Sequence, residues 1–307
     1  MRETNLNKVK LLTEVLSMKF GYACINLSIP TKFRTCRLKT VEEKGIEYLK
    51  ELTLSNFHQT LDAVKWNIQH NIYFYRLSSD IVPFATHPIN TWEWWEDDEV
   101  LSITEHIYEL QKRYDLRLSC HPGQYNVLNS PNPSVVENTK KDLRYHERIM
   151  NLVGGSDMIL HVGGVYGDKE SAIERFAENY NGLSDGIKSL LRIENDDKSF
   201  TLEDVVKVNS LTGAPVCFDI HHHNCNMGDE ELLSLLPAVW KSWGDKKPKC
   251  HISSGKSHST DRSHHNLILE DDLKALLSII GDQDADIMFE AKLKEQSVLP
   301  HLHLQNA

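Results

Sequence analysis

Residues 116–164 read LRLSCHPGQYNVLNSPNPSVVENTKKDLRYHERIMNLVGGSDMILHVGG. Two short apolar runs, Leu116–His121 and Met158–Gly163, flank Val135–Val153, whose apolar residues recur at helical spacing. Ser134 stands where that helix would begin. A strand, a helix and a second strand in this order make a βαβ unit with parallel strands.

The alternation continues in both directions. Further strand candidates are Lys19–Asn26, Ile72–Ser78, Leu190–Asn195, Ala214–Ile220, Lys249–Ser253 and Asp286–Ala291. Between them lie the amphipathic stretches Val41–Ile68, Val100–Tyr114, Lys169–Tyr180, Leu202–Ser210, Glu230–Trp243 and Leu269–Ile280. Thr201 and Asp204 have the spacing of a capping box. The strands are short and mostly apolar, as burial on both faces requires. Eight such repeats in 307 residues fit an α/β fold of the (β/α)8 TIM-barrel type better than an open doubly wound sheet. The expected division is a short helical extension over residues 1–18 and a barrel domain over 19–307, with a ragged tail after Lys292.

A hydrophobic content of 40% and a charged content of 25% are those of a globular protein with a sizeable core. No apolar run is long enough to span a membrane. Met1–Met18 lacks a signal-peptide pattern, so a cytoplasmic protein is expected. Six cysteines at irregular intervals, with no C-x-x-C pair, argue against a disulfide framework and a zinc finger. Cys24, Cys120, Cys217 and Cys250 fall in strand-like runs and read as small hydrophobes.

Polar residues fall where the strands end. His121, His161, Glu194, Asp219, His251 and Glu290 each sit at or near the C-terminal end of a strand candidate, and His87 follows the second strand by nine residues. One such histidine is more often structural than a ligand. In a barrel, however, all these ends open on a single face, where the active site is built. Imidazoles and carboxylates without cysteine suit Zn2+, Mn2+ or iron at a catalytic site. So many ligands imply more than one ion, and clustered ions can activate water and clamp the oxygens of a phosphodiester. His58, His70, His106 and His146 lie in or beside helical stretches and read as surface or capping residues.

Seven motifs, in order, resemble the ultraviolet damage endonucleases. They are residues 20–27 (FGYACINL), 81–88 (IVPFATHP), 118–125 (LSCHPGQY), 160–167 (LHVGGVYG), 193–197 (IENDD), 248–254 (PKCHISS) and 289–292 (FEAK). The resemblance implies a TIM barrel holding up to three divalent ions, often Mn2+. Its implied ligands are His87, His121, His161, Glu194, Asp219, His222, His251 and Glu290. Lys249, a position carboxylated in the family, Glu290 and His264 are implied as catalytic residues. Gln124 and Tyr125 match a pair that wedges into the gap left by extruded nucleotides, and Tyr22 and Asn26 match residues near the extruded bases. The implied substrate is UV-damaged double-stranded DNA, nicked immediately 5′ to cyclobutane dimers and 6-4 photoproducts. The enzyme would work in the cytoplasm at the nucleoid without an obligate protein partner.

The run His221, His222, His223 leaves the register open. Counting from the aspartate selects His222, whereas strand alternation would align His221 and His223 with Asp219, unless the strand stops at Ile220. A net charge of −10 counts against a nucleic-acid partner, but Lys32, Arg34, Arg37 and Lys39 supply cations in the first βα loop. The acidic residues Glu93, Glu96, Asp97, Asp98 and Glu99 are expected to face away from DNA. Competing readings are an abasic-site endonuclease resembling endonuclease IV, a metal-dependent sugar isomerase and a damage-binding protein with structural ions.

Overall fold

The computed structural model describes residues 18–30 and 32–306, so the helical reading of residues 1–17 lies outside the described residues. Eight strands form: β1 (Phe20–Ala23), β2 (Phe74–Arg76), β3 (Arg117–Cys120), β4 (Asp157–His161), β5 (Leu191–Glu194), β6 (Val216–Asp219), β7 (Lys249–Ile252) and β8 (Asp286–Phe289). Each pairs with the next in parallel, and β1 pairs with β8, closing the barrel. All eight strand candidates are therefore strands, most of them trimmed at their ends, and β4 starts one residue earlier, at Asp157.

Helices wrap the outside, among them Ile46–Gln69, Asp98–Tyr114, Pro133–Val153, Lys169–Asn181, Leu202–Thr212, Leu232–Lys241 and Glu270–Ile280. The capping box of Thr201 and Asp204 is present in full. Three expectations need correction. The stretch read as one helix from Val41 is two, Leu38–Lys44 and Ile46–Gln69, because Gly45 at φ 78° breaks the hydrogen-bond ladder. Asn132, not Ser134, caps the helix that follows β3, its side chain accepting from Ser134 N–H. The tail is ordered: Glu295–Val298 leads into a 3-10 segment, Leu299–Asn306, and Gln305 Oε1 accepts from Phe20 N–H at 2.8 Å.

Strand periodicity divides the buried residues into two populations. Tyr22, Tyr75, Leu118, Leu160, Ile193, Phe218, Ile252 and Phe289 face outward and join the helices in the main core. The alternate positions face the barrel interior, where Ala23, Phe74 and Met288 form one small cluster and Ile159, Cys217 and Trp243 another. Gly21 makes room for this filling, since a Cβ there would meet Phe74 O at 2.4 Å.

The lower end of the barrel is closed by charges. Arg117 Nε lies 2.8 Å and Arg192 Nε 3.1 Å from the Asp157 carboxylate, and Arg117 Nη1 lies 3.0 Å from Asp286 Oδ2. Both guanidinium groups lie over Trp243, at 5.5 and 5.3 Å from its ring centre. Burial alone would raise the pKa of Asp157, but the two arginines outweigh it and hold the carboxyl well below its ordinary range. With the folded pKa depressed, this contribution to stability is present at neutral pH and lost as pH falls through the folded value. Asp157→Asn leaves two buried guanidinium groups short of a counter-charge and should cost roughly 3–5 kcal/mol. Denaturant unfolding of the variant checks this, and a midpoint equal to that of the parent would contradict it.

Candidate metal centre

Above this floor the inward positions carry metal-capable side chains. Two residues beyond Ile159 is His161, beyond Arg192 is Glu194, beyond Cys217 is Asp219, and beyond Lys249 is His251. The period of two that fills the barrel thus also stacks metal-capable side chains at its mouth.

Glu194 is the hub. His121 Nε2 hydrogen-bonds to its Oε2 at 3.1 Å, and His161 Nε2 lies 3.4 Å from the same oxygen. On the other side, Oε1 lies 2.6 Å from His251 Nδ1 and 3.9 Å from His222 Nδ1. Among the described residues three donor sets result: His121, His161 and Glu194; Glu194, Asp219 and His222; Glu194, Cys217 and His251. Within each set the ligand atoms lie within 4.8 Å of one another.

These atoms satisfy each other only in part. Glu194 Oε1, Asp219 Oδ2 and both ring nitrogens of His251 are buried with no hydrogen-bond partner. Buried lone pairs left bare are costly, and nitrogen and oxygen donors converging this closely fit divalent cations. The protonation chemistry fits too. Burial lowers the pKa of His121 to about 4, which leaves its imidazole neutral and able to ligate. At His222 burial also lowers the pKa, but the Asp219 and Glu194 carboxylates outweigh it and lift the value to about 9. A cation beside His222 therefore takes the place of a proton.

The register of the three histidines follows from where β6 stops. The strand ends at Asp219 and a short helix, Ile220–Cys225, begins at once, so alternation does not extend into the run. His222 joins Glu194 and Asp219, while His221 packs edge-on against His264 and His223 lies against Phe218. His264 is half-buried, with Nδ1 3.3 Å from Ser253 Oγ.

Other expected residues are placed differently. Glu290 Oε1 is 3.2 Å from His251 Nδ1, but the same carboxylate is also held by the Arg76 guanidinium. Arg76 was not foreseen; its signal was a lone cation at the end of an aromatic strand. Lys249 is fully buried, its Nζ has no hydrogen-bond partner and lies 5.3 Å from the Phe74 ring centre, and burial lowers its pKa to about 8. His87 is exposed in the loop after β2, edge-on to Phe84, and belongs to none of the three donor sets. Tyr22 is turned into the helical layer by strand parity, donating to Asn67 Oδ1 at 2.7 Å and accepting from Asn26 Nδ2 at 2.8 Å. Both Tyr22 and Asn26 are buried, so this structure does not offer them to an extruded base.

Gln124 and Tyr125 are exposed, Tyr125 to 84%. Their loop is a ridge between two clefts. One, of about 1140 Å³, is bordered by Ile25, Phe33, Arg34 and Tyr166; the other, of about 340 Å³, by His161, His222 and Asp196. The ridge is bolted to the helix Pro133–Val153 by Asn126 Nδ2 donating to Asp142 Oδ2 at 2.7 Å and Val127 N–H donating to Thr139 Oγ1 at 3.0 Å. His146, expected at the surface, is instead buried on that helix with Nδ1 2.8 Å from Asp142 O. Lys32 and Arg34 are exposed, with Arg34 Nη1 3.1 Å from Glu51 Oε1. Asp97 caps the helix Asp98–Tyr114, which accounts for part of the acidic run. Among the described residues no helix is long and apolar enough to cross a membrane.

The arrangement has relatives. Residues 18–306 match the family model described as UV-endonuclease UvdE. The UV DNA damage endonuclease of Bacillus cereus is 34% identical over 299 residues, covering 93% of this chain and 94% of that protein. The crystal structure of SacUVDE superposes with a TM-score of 0.84 at 31% identity, covering 94% of this chain and 100% of that one. Endonuclease IV from Thermus thermophilus, at 17% identity and a TM-score of 0.58 over 93% of this chain and 97% of that one, shares the fold. A match over nearly the whole described chain, on a barrel whose mouth gathers these histidines and carboxylates, places the protein in the UV-endonuclease family.

Proposed function

We propose that this endonuclease hydrolyses the phosphodiester immediately 5′ to UV photolesions in duplex DNA, using divalent ions held by His121, His161, Glu194, Asp219, His222 and His251. The observation that carries the reading is the pairing of converging, partly unsatisfied donor atoms with an exposed ridge, Gln124 and Tyr125, of which Gln124 borders the same cleft as His161 and His222. Ions bound there supply Lewis acidity and lower the pKa of water at neutral pH. The chain's own residues do the rest. Gln124 and Tyr125 enter the space vacated by extruded nucleotides, and an aromatic ring there replaces lost stacking worth ~1–3 kcal/mol per base. Arg34 and Lys32, exposed on the first βα loop, offer cations to phosphates on a protein whose overall charge is negative. Tyr22 and Asn26 act from behind, bracing the β1 loop through their mutual hydrogen bond.

Incubating the protein with irradiated and undamaged plasmid plus Mn2+ tests the reading. Nicks confined to irradiated plasmid, with 3′-hydroxyl ends that prime a polymerase, are expected. Equal nicking of both plasmids, or ends that do not prime, would overturn it.

A further inference from the structure

One of the three donor sets contains a sulfur. Cys217 precedes Asp219 by two residues on β6 and so shares its inward face. It is level with Glu194, its register partner on β5. Cys120 and Cys250 belong to the outward core, and Cys24, Cys36 and Cys225 are only partly buried and lie outside the inner positions of the strands. Among the described residues Cys217 is thus the cysteine that packs inside the barrel, with Ile159 and Trp243 below it and Glu194 and His251 beside it.

We propose that Cys217 Sγ is a metal ligand, completing with Glu194 and His251 a deep position of the cluster that takes a thiophilic ion such as Zn2+ or Co2+ rather than Mn2+. The three side chains are essentially inaccessible, at 0, 1 and 0% exposure for Cys217, Glu194 and His251. Glu194 Oε1 and both nitrogens of His251 make no hydrogen bond of good geometry, although Oε1 and Nδ1 are only 2.6 Å apart, so a cation entering among them finds donor atoms. A tetrahedral Zn2+ holds nitrogen, oxygen and sulfur ligands roughly 3.3–3.6 Å apart, inside the 4.8 Å within which these atoms fall. Glu290 Oε1, 3.2 Å from His251 Nδ1, is at hand as a fourth donor if it leaves Arg76. Coordination replaces the thiol proton, which is released to solvent. A soft sulfur favours Zn2+ and Co2+, whereas carboxylate and imidazole sets without sulfur remain suited to Mn2+, so one cluster would hold unlike ions.

The inference rests on the proposal that divalent ions fill the barrel mouth, but its readout is ligand spectroscopy and involves no DNA. The full chain, stripped of metal and titrated with Co2+, is expected to show thiolate-to-cobalt charge-transfer absorption in the near ultraviolet. Cys217→Ser and Cys217→Ala should lose that band while keeping the visible bands of Co2+ on nitrogen and oxygen. Zn2+ affinity at the deep position should fall by at least about 10–100-fold, the loss that follows from disturbing even an outer partner of a metal site. X-ray absorption of the Zn2+-loaded parent should contain a Zn–S distance near ~2.3 Å, a measurement that needs no variant. Absence of both the charge-transfer band and the Zn–S distance in the parent, or survival of the band in both variants, overturns the assignment. Nicking activity without these signals would separate this failure from a failure of the proposed function.

Discussion

Glu194→Gln is expected to eliminate nicking of irradiated DNA and, at the same time, to lower the bound metal content by more than one ion per chain. Glu194 is the residue common to all three donor sets, with Oε2 facing His121 and His161 and Oε1 facing His251 and His222. An amide keeps the shape but carries no charge and offers a single oxygen. Ions supply several kcal/mol of charge stabilisation to the transition state, so the rate should fall on the order of 10³-fold or more. His161→Ala, which touches one set, should remove fewer ions than Glu194→Gln. Burial would raise the pKa of Glu194, yet the imidazoles of His251 and His161 and the hydrogen bond from His121 hold it well below the ordinary range. The anion is thus favoured at Glu194, and removing it leaves His251 short of a counter-charge, so the variant should also lose some stability, and circular dichroism checks that it is still folded. Metal analysis, circular dichroism and a nicking assay on one preparation decide the matter. An inactive variant with a full metal complement would show that Glu194 is not the shared ligand.

Gln124→Ala combined with Tyr125→Ala should leave metal content unchanged and reduce cutting of damaged duplexes, most for the less distorting lesion. Neither side chain belongs to a donor set, and the ridge is fastened through Asn126 and Val127, which remain. Truncation removes the contacts that offset unstacking, a cost of roughly a few kcal/mol that a distorting lesion has already partly met. A cyclobutane dimer and a 6-4 photoproduct in otherwise identical duplexes supply the comparison. Unchanged rates on both would mean that the ridge does not enter DNA. Loss of metal would mean that the loop serves instead to hold His121, which lies just before it.

The barrel and most of the metal-capable residues at its mouth could be read in the sequence for one physical reason: each is a local pattern. Apolar runs of strand length show where β1 to β8 lie, and a period of two sends His161, Glu194, Asp219 and His251 inward. What escaped depends on parity or on three-dimensional neighbours. Tyr22 read as a site residue from its motif, yet its place on the outward face of β1 puts it among the helices. Cys217 reads as a small hydrophobe and packs as one with Ile159 and Trp243, while its nearness to Glu194 and His251, both remote in the chain, could not be read. Arg76 escaped because its partner, Glu290, is 214 residues away. Gly45 was missed because a single positive φ decides it, and the order of the tail because it rests on contacts remote in the chain, such as Phe20 N–H donating to Gln305 and Leu302 packing on the core.

The charged floor has a consequence for how the centre exchanges its contents. Asp157 and Arg192 are each only 1% exposed and, with Trp243, stopper the barrel from below. Water, protons and ions must then travel through the upper opening, which a bound duplex would cover. If ions fill the mouth as proposed, occupancy by DNA and escape of metal are set against each other, so substrate should lengthen the residence time of the ions. A strong chelator added to the metal-loaded protein should strip it more slowly in the presence of a damaged duplex than in its absence. Equal stripping rates would mean that the floor leaks.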